Sequence, residues 1–147
     1  MRQVADISAV VVAAIALLTA LLGAWVWWRS SGSALFWGMW RATQAATTIL
    51  AGVALVAAIT GLDPGSGLFW LYMLLPIAVS IIAEQLRIAT AQHVLDRRGL
   101  EDAQAVGRLD PLEQREIVLQ IAGRELAVAA LACVVIAFLA LRVLATA

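Results

Sequence analysis

The chain has 147 residues, 63% of them hydrophobic and 14% charged, and its ten basic residues balance its ten acidic ones. A soluble domain carries ~45–50% apolar and ~25% charged residues, so this composition excludes a soluble globular domain, a disordered chain and a disulfide scaffold. A balanced charge gives no reason to expect nucleic acid as a partner, and the remaining class is an integral membrane protein.

The first apolar stretch covers residues 7–28. Its length exceeds the ~7–15 residues of a signal-peptide core, and only Arg2, offset by Asp6, precedes it, so it reads as a retained helix. Trp25, Trp27 and Trp28 crowd its end, and the polar turn Arg29-Ser30-Ser31-Gly32-Ser33 follows. The second stretch covers residues 34–60, with Trp37 and Trp40 near its start. Gly38, Ala42 and Ala46 recur there at four-residue spacing, a face that lets helix backbones approach closely. Asp63-Pro64-Gly65-Ser66-Gly67 is a turn cluster that no helix would run through. The third stretch covers residues 68–95, carries Trp70 and Tyr72 near its start, and stops at Arg97-Arg98-Gly99, with Gly99 as the left-handed C′ residue. A polar loop over residues 99–109 leads to Asp110, read as N-cap, and Pro111 at the first helical position. The fourth stretch covers residues 112–144, where Gly123 and Ala127 repeat the small-residue spacing.

Each stretch exceeds the ~20 residues that cross a ~30 Å hydrocarbon core as a helix. No period-2 alternation appears, which excludes a barrel, and a helix satisfies its backbone internally as lipid requires. Short connections make successive helices antiparallel. The expected fold is all-α, an integral membrane up-down four-helix transmembrane bundle forming a single transmembrane domain over residues 1–147. From Leu68 to Arg98 is about 45 Å and from Pro111 to Leu144 about 50 Å at 1.5 Å per residue. Helices 3 and 4 should therefore extend into a short cytoplasmic hairpin. There Leu112, Ile117, Val118 and Ile121 form an amphipathic face that packs on Ile88, Val94 and Leu95 or docks a partner.

Arginine placement orients the chain. Arg29, Arg41, Arg97, Arg98, Arg108 and Arg115 fall on one side, against Arg2 and Arg142 on the other. Positive-inside counting puts loops 29–33 and 96–111 in the cytoplasm and both termini outside a plasma membrane.

Arg41, Glu84, Arg87, Arg124 and Glu125 lie inside the helical stretches. From the outer helix ends, Arg41, Glu84, Arg87 and Arg124 sit about 24–30 Å along, near the inner edge of the hydrocarbon. Trp25, Trp27, Trp28, Trp37 and Trp40 gather at that level, with Trp70 and Tyr72 at the opposite interface, as in an aromatic belt. Anchoring and snorkelling account for such a set. A polar layer accounts for part of it more sharply. Ser80, Glu84 and Arg87 share a face within about 60°. Arg41, Gln44 and Thr48 form a second stripe, and Glu116, Gln120 and Arg124 a third. A polar stripe in lipid turns inward, so Glu84 is expected to pair with Arg87 and, across the bundle, with Arg41 or Arg124. Such a layer either clamps helix register or forms a small cavity open to the cytoplasm, for an anionic headgroup or substrate or for a proton on Glu84.

The single histidine, His93, excludes a bis-His haem, and the single cysteine, Cys133, lies mid-helix as a small hydrophobe. No zinc constellation, nucleophile–base pair or phosphate-binding loop is present, so neither metal, cofactor nor enzymatic activity is expected. The leading function is structural or accessory: a subunit, assembly factor or scaffold of a membrane complex. One rival is an oligomeric small transporter or channel using Glu84 and Arg41. A second is a lipid- or quinone-binding membrane protein, with the Trp and Arg residues around a headgroup. The expected partners are the lipid bilayer, a membrane protein or a second copy, and a lipid headgroup.

Overall fold

The structure, a computed structural model, describes residues 1–146. Five helices follow one another: α1 (Arg2–Arg29), α2 (Ala34–Ile59), α3 (Gly67–Arg97), α4 (Ala103–Val106) and α5 (Pro111–Ala145). No strand occurs among the described residues. α1, α2, α3 and α5 are each long and apolar enough to cross a membrane.

The boundaries have local causes. Ser33 and Ser66 cap α2 and α3, accepting from the Phe36 and Leu68 backbone N–H at 3.2 Å. Three helices close with paired 6→1 and 5→2 bonds around a left-handed residue. In α3 this residue is Gly99 (φ 69°), as the sequence indicates, with Leu100 N–H bonded to Leu95 C=O. In α2 it is Gly61 (φ 75°). In α1 it is Ser30 (φ 49°), a left-handed position held by a residue with a Cβ.

Two local expectations change. Residues 99–109 are not all loop: Asp102 accepts from Ala105 N–H at 2.8 Å and starts the one-turn α4. Asp110 precedes α5 but its side chain caps nothing. Its neighbourhood is held instead by Gln114, which reaches back to donate to the Leu109 and Gly107 carbonyls at 2.7 and 3.2 Å. Pro111 does occupy the first turn of α5. A third feature went unread in the sequence: Pro76 sits inside α3 and is buried. It removes one backbone donor, which a membrane helix tolerates when neighbours cover the gap.

α1 packs on α2 and α5, α3 packs on α2 and α5, and α2 barely meets α5 across the middle. The α1–α5 seam is made of small residues. Ala5, Ala9, Ala16 and Ala20 of α1 are buried, as are Ala129, Cys133, Ala137 and Ala140 of α5. In lipid, helices gain little from burying apolar surface, so close van der Waals packing must hold them. Gly23 marks a close approach in this packing: a Cβ there would lie 2.8 Å from Ala130 Cβ and 2.8 Å from the Phe36 ring. The sequence placed close approach elsewhere. A Cβ on Gly38 or Gly123 would meet nothing within 4 Å, and Ala42 and Ala127 are exposed.

A second, smaller core joins the end of α3 to the start of α5. Val94, Leu95 and Ile117 are buried there, covered by Leu100, Val106, Leu109 and Ile121. Leu112, Val118 and Ile88, expected in the same contact, are exposed. α4 is the reason: Val106 and the Leu109 that follows it fill the volume that the sequence assigned to Leu112.

Candidate functional site

Glu84 is the centre of a bonded chain that crosses three helices. Its Oε2 accepts from Trp40 Nε1 at 3.3 Å, Gln44 Nε2 at 3.1 Å and Arg87 Nη1 at 2.9 Å. Its Oε1 accepts from the same Arg87 nitrogen at 3.1 Å. Arg87 continues to Glu125 on α5, Nη2 to Oε2 at 3.5 Å, and its guanidinium lies 4.3 Å from the Trp37 ring centre. At the other end Gln44 Oε1 accepts from Arg41 Nη1 at 2.9 Å. The order is Arg41, Gln44, Glu84, Arg87, Glu125. Ion pairing, hydrogen bonding and cation–π contact therefore hold α2, α3 and α5 at one level. The side chains of Arg87, Glu84 and Glu125 are 15, 31 and 23% exposed, so the pairs are screened only in part.

The i,i+3 pair between Glu84 and Arg87 forms as its spacing implies. The cross-bundle partners differ from expectation. Arg41 reaches Glu84 only through Gln44, and Arg124 is in no ion pair among the described residues. The reason is helical phase. Glu125 continues the buried stripe of Ala129 and Cys133, at i+4 and i+8, whereas Arg124 shares its stripe with the exposed Leu131 and Val135. Gln120 also leaves the layer: it is exposed, and it accepts from Arg98 Nη2 at 3.5 Å beside the 2.9 Å Arg98–Glu116 ion pair. That contact ties the ends of α3 and α5 together. Ser80 is buried one turn from Glu84, outside the bonded chain.

The aromatic residues divide. Trp25, Trp27 and Trp28 are 58, 66 and 88% exposed, free to lie against lipid. Trp40 is 0% exposed: it is a core residue that donates to Glu84, and the interface-anchor assignment does not hold for it. Trp37, Trp70 and Tyr72 are half-buried against the core.

Two polar contacts were not read from the sequence. Thr19 Oγ1 and Thr43 Oγ1 lie 3.1 Å apart, fully buried between α1 and α2, each also bonded to a carbonyl of its own helix. The signal was available, since Thr19 is the one hydroxyl on the Ala16–Ala20–Gly23 face of α1. At the opposite end of the helices, Arg2 pairs with Asp6 at 3.3 Å and stacks over the buried Phe69 at 4.5 Å. His93 is exposed and Cys133 is a buried free thiol. No group of three His, Cys, Asp or Glu side chains poised for a metal ion occurs among the described residues.

Four apolar spanning helices define the class, a multi-pass membrane protein. No family model, no curated protein and no solved structure matches the chain.

Proposed function

We propose that the chain is a structural or accessory component of a membrane complex, built as one up-and-down bundle over residues 1–147. In this reading loops 29–33 and 96–111 are cytoplasmic, and both termini lie outside a plasma membrane. The ends of α3 and α5, joined through α4, project as the cytoplasmic hairpin. At 31 and 35 residues these two helices are about 46 and 52 Å long, against a ~30 Å hydrocarbon core.

One observation carries the proposal: both oxygens of Glu84 are already taken by protein donors. Three of these bonds converge on Oε2 and the fourth, from an Arg87 nitrogen shared with Oε2, reaches Oε1, so the carboxylate is committed chiefly to protein donors rather than to a travelling proton or a solute. It serves as a clamp, holding α2 to α3 at a seam with few other contacts. The outer halves of the helices offer no polar relay beyond this layer, which weighs against a transport path through the monomer. Trp25, Trp27 and Trp28 anchor the bundle at the lipid interface, and the polar layer sets the register of the face that a partner meets.

The test is isolation in a mild detergent followed by quantitative mass spectrometry of co-purifying proteins. A membrane protein recovered at a fixed ratio to this chain supports the proposal. Solute flux in proteoliposomes of the isolated chain, abolished by Glu84→Gln with folding intact, overturns it in favour of transport.

A further inference from the structure

Three cavities adjoin one another at the end of the helices where α1 turns into α2. The first, about 540 Å³, is faced by Arg41, Arg87 and Glu125 beside Trp37. The second, about 340 Å³, is lined by the serine-rich turn over residues 30–33 and by Leu119 and Gly123 of α5. Trp37 and Ala122 form a wall common to these two. The third, about 280 Å³, is an apolar groove between α1 and α5, running past Ala20, Ala24, Ala127 and Ala130. It shares Trp27 and Leu126 with the second. The sequence of linings is thus charged, then hydroxyl-bearing, then apolar within the spanning segments. The same order of groups runs along a glycerophospholipid: headgroup, ester-linked glycerol, acyl chain.

The charges at the first cavity narrow the headgroup. Arg41 is bonded only to the neutral Gln44 and is in no ion pair among the described residues, so its guanidinium keeps donors for a phosphate. Glu125 engages Arg87 through Oε2 alone, and at 3.5 Å this is among the longest bonds of the chain. Its Oε1 is left to accept from a cation. Arg87 Nε is buried without a hydrogen-bond partner on the same wall. Arg41 and Arg87 are balanced by Glu84 and Glu125, so the cluster has no net charge with which to prefer an anion. A zwitterion meets both free ends at once.

We propose that these cavities hold one glycerophospholipid with a phosphoethanolamine headgroup, its phosphate on Arg41, its ammonium on Glu125 and an acyl chain in the α1–α5 groove. The three N–H donors of a primary ammonium suit a carboxylate oxygen, which a quaternary ammonium does not. Gly23 and Ala130 meet at the floor of this groove, and the small, exposed Ala24 and Ala127 on its rims leave an open trough along which the acyl chain lies.

The experiment uses the full chain in nanodiscs of equal parts phosphatidylethanolamine, phosphatidylglycerol and phosphatidylcholine, followed by native mass spectrometry of retained lipid. The expected result is one phosphatidylethanolamine per chain, enriched about tenfold over the other two, the equivalent of 1.4 kcal/mol. Arg41→Ala lowers total retention. Glu125→Gln abolishes the preference for the ethanolamine lipid over the choline lipid. Ala127→Trp, which fills the groove from its exposed wall, lowers retention with an unchanged melting midpoint. Equal retention of the three lipids, a preference for phosphatidylglycerol, or retention unaffected by both Arg41→Ala and Ala127→Trp overturns the proposal.

Discussion

Gly23 and Ser30 are seven residues apart in the sequence and require opposite substitutions. At Gly23 the space for a Cβ is already taken by Ala130 and the fully buried Phe36 ring. Alanine favours a helix over glycine by up to ~1 kcal/mol, but forcing a methyl into a packed seam costs about 1–3 kcal/mol. Gly23→Ala should therefore lower the melting midpoint, and an unchanged or higher midpoint would remove the claim of close α1–α5 approach. At Ser30 the left-handed backbone costs a Cβ-bearing residue about 1–2 kcal/mol, so Ser30→Gly should raise the midpoint. At this scale the sequence is legible where spacing alone decides. Glu84 and Arg87 are three apart on one helix, and they pair. Trp40 was misplaced because tryptophan is suited both to an interface and to a core with a hydrogen-bond acceptor. Which applies depends on Glu84, 44 residues away, and no local pattern carries that information.

Helix ends were legible from Ser, Gly and Pro punctuation, because caps and left-handed turns are local chemistry. α4 was not, since four residues are too few to show a period. Its presence redirected the packing of the α3–α5 hairpin, replacing the predicted Leu112 contact with Val106 and Leu109. Two kinds of contact hold that hairpin, and magnitudes separate them. The Arg98–Glu116 pair is largely exposed and is worth ~0–1 kcal/mol. Ile117 is 1% exposed, and truncating such a side chain to alanine costs about 2–5 kcal/mol. In amide hydrogen exchange, Ile117→Ala should speed exchange over residues 94–121, while Arg98→Ala should leave it nearly unchanged. The reverse ranking would mean that the ion pair, rather than the small core, organises the hairpin.

For the molecule as a whole, the four spans follow directly from apolar length. The choice of neighbours does not, because every span is apolar around most of its circumference and each could pack on any other. The arrangement turns on two features: the small-residue seam of α1 and α5, and the polar chain that closes α2 onto α3. Orientation rests on arginine counts. A reporter active only outside the cytoplasm, fused after residue 147, should be active, and activity only from a cytoplasmic reporter would reverse the topology. The central claim is that Glu84, with Arg87 beside it, clamps α3 to α2 through Trp40 and Gln44. Glu84→Gln keeps the size of the side chain and an oxygen that can accept from Trp40 and Gln44, but it sets an NH2 donor against Arg87 Nη1 in place of Oε1 and removes the charge facing that guanidinium. Hydrogen bonds to a charged group contribute about 1.5–3 kcal/mol each in net terms, reduced here because the carboxylate is 31% exposed. The thermal melting midpoint of Glu84→Gln in nanodiscs is the most direct measurement. A clear fall below the native chain is predicted, and a midpoint equal to the native one would contradict the clamp.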